Sequence, residues 1–144
     1  MRIVVQRVLK ASCQSQGETQ VSIANGLLIY TCFEKDDKIE TIQKATHKIV
    51  NLRIFEDENA RMQYNIQQAK GEILHISQFT LSWRGNKGHR PNFEESMIPN
   101  SALDFYNKMN HQLEQFCPVK TGFFGKEMQI ASVNDGPVTF FLEF

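Results

Sequence analysis

Gly71-Glu72-Ile73-Leu74-His75-Ile76-Ser77-Gln78-Phe79-Thr80-Leu81 places the apolar residues Ile73, Leu74, Ile76 and Phe79 on both faces of an extended chain. Strands that are apolar on both faces lie inside sheets rather than at their surfaces. The segment therefore predicts an interior strand that ends in a run of hydroxyls and an amide. Toward the N-terminus, residues 2–8 (RIVVQRV) are rich in β-branched side chains and read as a strand, and Gly17 with its polar neighbours reads as a turn before Val21 and Ile23. Asn25-Gly26 is a turn dipeptide, and Leu27-Leu28-Ile29-Tyr30 after it predicts a buried strand of the same sheet, closed by the solvated run Glu34-Lys35-Asp36-Asp37.

Between these strands, Ile39, Ile42, Ala45, Ile49 and Leu52 recur at three- and four-residue steps, which predicts an amphipathic helix over 39–52. Residues 53–59 read as a short strand running into an acidic turn, with 62–66 as its return. Past the interior strand, the loop 82–91 (SWRGNKGHRP) is too rich in glycine and charge for regular structure. Ser101 is placed to cap a second helix through Leu103, Tyr106, Met109, Leu113 and Phe116, stopped at Cys117-Pro118 because a residue before proline avoids the helical region. Two last strands, around 128–133 and 138–144, flank a turn at Asn134-Asp135-Gly136-Pro137. The sum is a single α+β domain over residues 1–144, sheet-dominated, with two main amphipathic helices.

Composition narrows the function classes. Sixteen basic and sixteen acidic side chains leave a formal net charge of zero, so any contact with nucleic acid is local rather than spread over a basic surface. Cys13, Cys32 and Cys117 are too widely and irregularly spaced for a disulfide framework or a zinc set, and read as buried thiols. No apolar run approaches the ~18 residues of a membrane helix, and the N-terminal segment lacks a secretory core; the expectation is a cytoplasmic protein without membrane contact. The four histidines show no metal-ligand spacing, and no nucleotide-binding or metallohydrolase motif occurs, so neither metal nor cofactor is expected. His47 and His111 read as helix surface. Met62, Met97 and Met128 suit either core filling or an adaptable pocket.

Three stretches bear on chemistry. In an ideal strand His75, Ser77 and Phe79 share one face and Ile76, Gln78 and Thr80 the other, so Ser77 and Thr80 line one pocket only if the strand bends or ends between them. A serine nucleophile would need a base and an orienting acid, which no local motif supplies; taken alone, the segment reads first as a strand end capped by hydroxyls. Asn134-Asp135-Gly136-Pro137-Val138-Thr139 reads as a turn feeding the last strand, although Gly-Pro before an apolar strand also offers carbonyls on a wall with no glycine side chain. In the 82–91 loop, Trp83, Arg84, Lys87, His89 and Arg90 suit either a solvated surface or a grip on phosphates and a base.

Taken together, Met1–Val8 (MRIVVQRV), Asn51-Leu52-Arg53-Ile54-Phe55, Ser77-Gln78-Phe79-Thr80-Leu81, Lys87-Gly88-His89-Arg90-Pro91, Thr121-Gly122, Phe124-Gly125 and Asn134-Asp135-Gly136-Pro137-Val138-Thr139 resemble the D-aminoacyl-tRNA deacylase family, in order and over nearly the whole chain. The resemblance implies a β-barrel-like α+β fold and a homodimer with two sites at its interface, acting on aminoacyl-tRNA and not on DNA. It implies hydrolysis of the D-aminoacyl ester, chiral proofreading in translation, and glycyl-tRNA(Ala) as a further substrate. By the same resemblance Ser77, Gln78, Phe79 and Thr80 form the catalytic stretch, and a cis Gly136-Pro137 peptide from the partner faces it as the chiral filter. Arg7 would brace that corner, while Lys87 and Arg90 contact tRNA. The 2′-hydroxyl of the terminal adenosine assists, with backbone N–H donors near Gln78 and Phe79 holding the ester carbonyl and no covalent nucleophile. The competing class is a module that binds the aminoacyl-tRNA acceptor end without cleaving it. The sequence departs from the family pattern at Cys32, where glycine is usual, at Trp83, where a smaller residue is usual, and at His89, where arginine is common.

Overall fold

A computed structural model describes residues 1–85 and 88–144 of the chain. Its first strand, β1 (Arg2–Gln14), runs past the expected end at Val8. It pairs along one edge with β2 (Val21–Ile23) and β3 (Gly26–Cys32), and along its other edge with the C-terminal strand β8 (Gln129–Glu143). The chain then crosses through α1 (Ile39–Val50) and the small hairpin β4 (Phe55–Glu56) and β5 (Met62–Tyr64) to β6 (Glu72–Ser77), which lies parallel to β3. A second crossover through α2 (Pro99–Leu113) delivers β7 (Val119–Thr121), parallel to β6. The result is a barrel-like six-stranded sheet with two helices on one face.

The reading of interior strands holds. Leu27, Ile29 and Ile73 pack on the helix side with Ile42, Ala45, Ile49, Tyr106, Met109 and Leu113, whereas Leu28, Leu74 and Ile76 pack on the opposite side with Val8, Ala11, Cys13 and Ile23. Because β3 and β6 bury both faces, their apolar runs are continuous instead of alternating. They also approach closely: a Cβ on Gly26 would overlap the Glu72 backbone carbonyl, so packing between the strands requires glycine there.

Four further elements differ in extent from expectation. The predicted helix to Leu52 ends at Val50, where Asn51 caps it by donating from Nδ2 to the His47 carbonyl at 2.8 Å. The second helix begins at Pro99, with proline in its first turn, so Ser101 lies inside it rather than capping it; it also stops at Leu113, leaving Phe116 outside and exposed. The strand predicted to Leu81 ends at Ser77 and gives way to a 3-10 turn over Phe79–Ser82. Finally, the two predicted last strands are one, β8, and Asn134–Pro137 is an irregularity within it rather than a turn between strands. All three cysteines are free and buried, and His47 and His111 are exposed.

Candidate active site

Where β6 ends, the chain turns so that Ser77, Gln78 and Phe79 together line a cleft of about 820 Å³. The break between strand and 3-10 turn removes the strict alternation that had placed Ser77 and Gln78 on opposite faces. Thr80 is outside the lining, but its hydroxyl accepts a hydrogen bond from Gln78 Nε2 at 2.6 Å. The cleft's other walls bring the apolar Phe93, Met97, Phe124 and Met128 together with the charged Glu94, Lys126 and Glu127; Met62 lies elsewhere, in β5. Phe79 is more than half exposed and meets Phe93 edge-on, ring centroids 5.1 Å apart.

The amides here are not all free. Gln78 donates its N–H to the Thr31 carbonyl at 2.8 Å, so it is not available to a ligand, contrary to the expectation from resemblance. Phe79 and Thr80 occupy the first positions of the 3-10 turn, where amides have no acceptor within the turn, and among the described residues neither donates to a backbone carbonyl outside it. From beneath, Cys32 Sγ donates to the Phe79 carbonyl at 3.4 Å and Arg2 Nη1 to the Leu81 carbonyl at 3.1 Å. The cysteine that stands where the family usually has glycine thus contacts the turn directly, and desolvation holds its thiol above the ordinary range, which favours the protonated donor.

His75 does not serve as a base for Ser77. Its ring is fully buried, with Nδ1–H donating to Asn110 Oδ1 at 2.6 Å and Nε2 accepting from the Thr31 hydroxyl at 2.9 Å. Burial lowers its pKa to about 4, so the ring is neutral and both nitrogens are engaged by uncharged partners. A Ser-His-Asp arrangement through His75 is therefore absent.

Gly136-Pro137 is a cis peptide. Gln6 pairs with Thr139 and Val8 with Asn134, so residues 135–138 of β8 stand opposite Arg7 alone. Four residues against one push the chain out of the ladder as a wide bulge. Gly136 has φ +121°, and a Cβ there would lie 2.7 Å from Val138 Cγ2 and 3.3 Å from Arg7 Nη2, so glycine is required by the bulge itself, before any ligand is considered. Arg7 is buried beneath it, donating to the Ile54 carbonyl at 2.6 Å and paired with Asp135 at 2.9 Å and Glu56 at 3.5 Å.

One chain does not bring the two motifs together. Thr31, beside Ser77, is opposite Ile3, whereas the bulge is opposite Arg7, four residues further along β1. At ~3.3 Å per residue that is roughly 13 Å along the strands, and the three strand spacings from β8 to β6 add roughly 14 Å across them. Gly136 and Pro137 line no part of the cleft. In the basic loop, Arg84 reaches Glu34 at 3.8 Å and Arg90 is exposed, while Lys87 lies outside the described residues.

Residues 4–143 match the family described as D-Tyr-tRNA(Tyr) deacylase. The chain belongs to that family. Members of the deacylase family are hydrolases of the D-aminoacyl-tRNA ester bond. Among solved structures the chain is similar to one named c-Myc DNA Unwinding Element Binding Protein, at 38% identity and TM-score 0.94, covering 100% of this chain and 99% of that one. It also shares the fold of a probable eukaryotic D-amino acid tRNA deacylase, at 17% identity and TM-score 0.84, covering 98% and 97%. Sequence reasoning about the deacylase site missed Arg2 and Asn110, and it held Asn134 and Asp135 only as part of a motif, without a role of their own. The contacts that fix them reach partners 35 to 128 residues away, which no local motif displays.

Proposed function

We propose that this deacylase acts as a chiral proofreading homodimer, with Gly136-Pro137 of one protomer facing Ser77–Thr80 of the other. The observation that carries this reading is the separation just described: the bulge and the cleft lie far apart in one chain, yet the bulge projects from β8, a fifteen-residue strand with one edge unpaired among the described residues. Long unpaired edges bearing apolar groups invite pairing with a second chain, and Val133, Phe140, Phe141 and Phe144 are all exposed on β8 or just beyond it.

The cleft suits the end of an aminoacyl-tRNA. Aromatic side chains such as Phe79 and Phe93 offer stacking for an unpaired base, and the terminal adenosine would enter there. The ester carbonyl then sits against the Phe79 and Thr80 amides, which stabilise the oxyanion formed as water adds to the carbonyl carbon. The C–O bond to the ribose breaks, the leaving oxygen takes a proton, and the 2′-hydroxyl of the same adenosine assists that transfer. Gly136-Pro137 accepts the α-ammonium through its carbonyls and leaves space for hydrogen, but not for an L side chain; glycyl-tRNA(Ala), lacking a side chain, passes the same filter. Exposed Arg90, together with Lys87, would contact the tRNA backbone.

Turnover tests this reading. D-tyrosyl-tRNA, L-tyrosyl-tRNA and glycyl-tRNA(Ala) are each mixed with the protein and ester loss is followed; rapid loss of the D and glycyl esters with the L ester spared is expected. Equal rates on the D and L esters would end the proofreading reading, and loss of none would leave an acceptor-end binding module. Ser77→Ala and Thr80→Ala are expected to retain turnover, and abolition by either with tRNA binding intact would point instead to a side-chain nucleophile.

A further inference from the structure

The bulge that carries Gly136-Pro137 is held by its neighbours, and their geometry has a consequence for selectivity. Asn134 Nδ2 donates to the Arg7 carbonyl at 2.9 Å and to the Val138 carbonyl at 3.1 Å. One side chain thus closes the base of the bulge from both sides, satisfying two carbonyls that the broken ladder leaves without partners. Asp135 Oδ2 lies 2.9 Å from Arg7 Nε, an ion pair without the angle of a hydrogen bond. Arg7 is itself fixed, buried and bonded to the Ile54 carbonyl, so the carboxylate is tied to an immobile point. On the far side Val138 is buried in the main core. Between these three anchors, Gly136 and Pro137 alone are exposed.

We propose that Asn134 and Asp135 are positioning residues that set the height of the Gly136-Pro137 wall, and thereby the discrimination between D- and L-aminoacyl esters. The proposal rests on the filter reading above. A steric filter works only if its wall stays within a fraction of an ångström of its place, since misplacement by about 1 Å is enough to change reaction rates by ~10²-fold. The wall's own residues do not provide this: glycine is flexible, and proline has no N–H with which to join the ladder. The fixing falls to the half-buried Asn134 amide and Asp135 carboxylate, which are turned to Arg7 and Val138 beneath the wall while Gly136 and Pro137 stand exposed, and so act on substrate through the wall.

The test compares kcat/KM on D- and L-tyrosyl-tRNA for Asn134→Ala, which removes both donors, and for Asp135→Asn, which keeps the shape and removes the charge. Thermal unfolding and particle mass are recorded alongside, with Pro137→Ala as the control. The expected result is a D-to-L ratio lowered about tenfold or more in both variants while the chains remain folded and unchanged in mass. A purely structural role would lower the unfolding temperature and leave the ratio alone, and that overturns the proposal; should Asn134→Ala fail to fold, the isosteric Asp135→Asn decides it. A ratio that moves in Pro137→Ala but in neither anchor variant sinks the anchoring and spares the filter. A ratio that does not move even in Pro137→Ala removes the filter, and the anchoring proposal with it.

Discussion

Burial holds the His75 imidazole at a pKa of about 4, because the cation would lose its hydration in a site where its partners are the neutral Asn110 and Thr31. The ordinary value of 6.5 applies to the unfolded chain, so between pH 6.5 and about 4 the unfolded state binds the proton that the folded state refuses. The stability contributed by the neutral ring is therefore complete above pH 6.5 and is lost as pH falls through that window. The shift corresponds to about 3 kcal/mol. We expect denaturant titrations of the native chain to show that much more loss between pH 7 and pH 4 than titrations of His75→Gln. Parallel pH profiles would show that the ring does not titrate this way. From sequence His75 was only a member of a polar strand end; that its neighbour is Asn110, on a helix 35 residues away, is a matter of packing.

At the scale of elements, the apolar periodicities of α1 and α2 and the continuous apolar runs of β3 and β6 were legible, because each follows from which faces are buried. Ends were less so. Ser101 looked like a helix cap, yet Pro99 already starts the helix, with a φ suited to its first turn and no N–H to satisfy. Ser101→Ala is therefore expected to change stability by no more than about 0.5 kcal/mol, the range of ordinary surface substitutions. A loss near the ~1 kcal/mol typical of a removed cap would restore the cap reading. β8 misled in the opposite direction. Asn134-Asp135-Gly136-Pro137 has the composition of a turn, but pairing with β1 on both sides keeps the strand whole and turns the motif into a bulge.

For the whole molecule, the proposed facing of bulge and cleft across a dimer makes a specific demand: each complete site would take its two parts from two chains. A chain with an obstructed filter (Gly136→Ala), in which a methyl group enters the space kept for the substrate's α-carbon, and one with an obstructed cleft (Ser77→Phe) should each be inactive alone. Mixed dimers of the two would contain one site with both parts intact, so co-refolding them is expected to restore up to about a quarter of native activity, since about half the dimers are mixed and each carries one of two sites. Absence of any recovery, with mixed dimers demonstrated by mass, would place bulge and cleft in the same chain's site. Phe141→Lys, which puts charge on the exposed face of β8, should in turn shift the particle mass toward that of the monomer.

By itself the sequence determined the class of fold, the interior strands, the two helices and the family, since these rest on local periodicity and on short motifs that persist along the chain. It also placed the polar strand end at Ser77–Thr80 and the Gly136-Pro137 pair. Only the tertiary structure decided that the Gln78 amide is already taken by Thr31, that His75 is a neutral buried ring, and that Asn134 and Asp135 hold the bulge against Arg7. The physical reason is the same in each case: a hydrogen bond or an ion pair depends on which atoms meet across strands and helices, and the chain settles that by burying its apolar faces together.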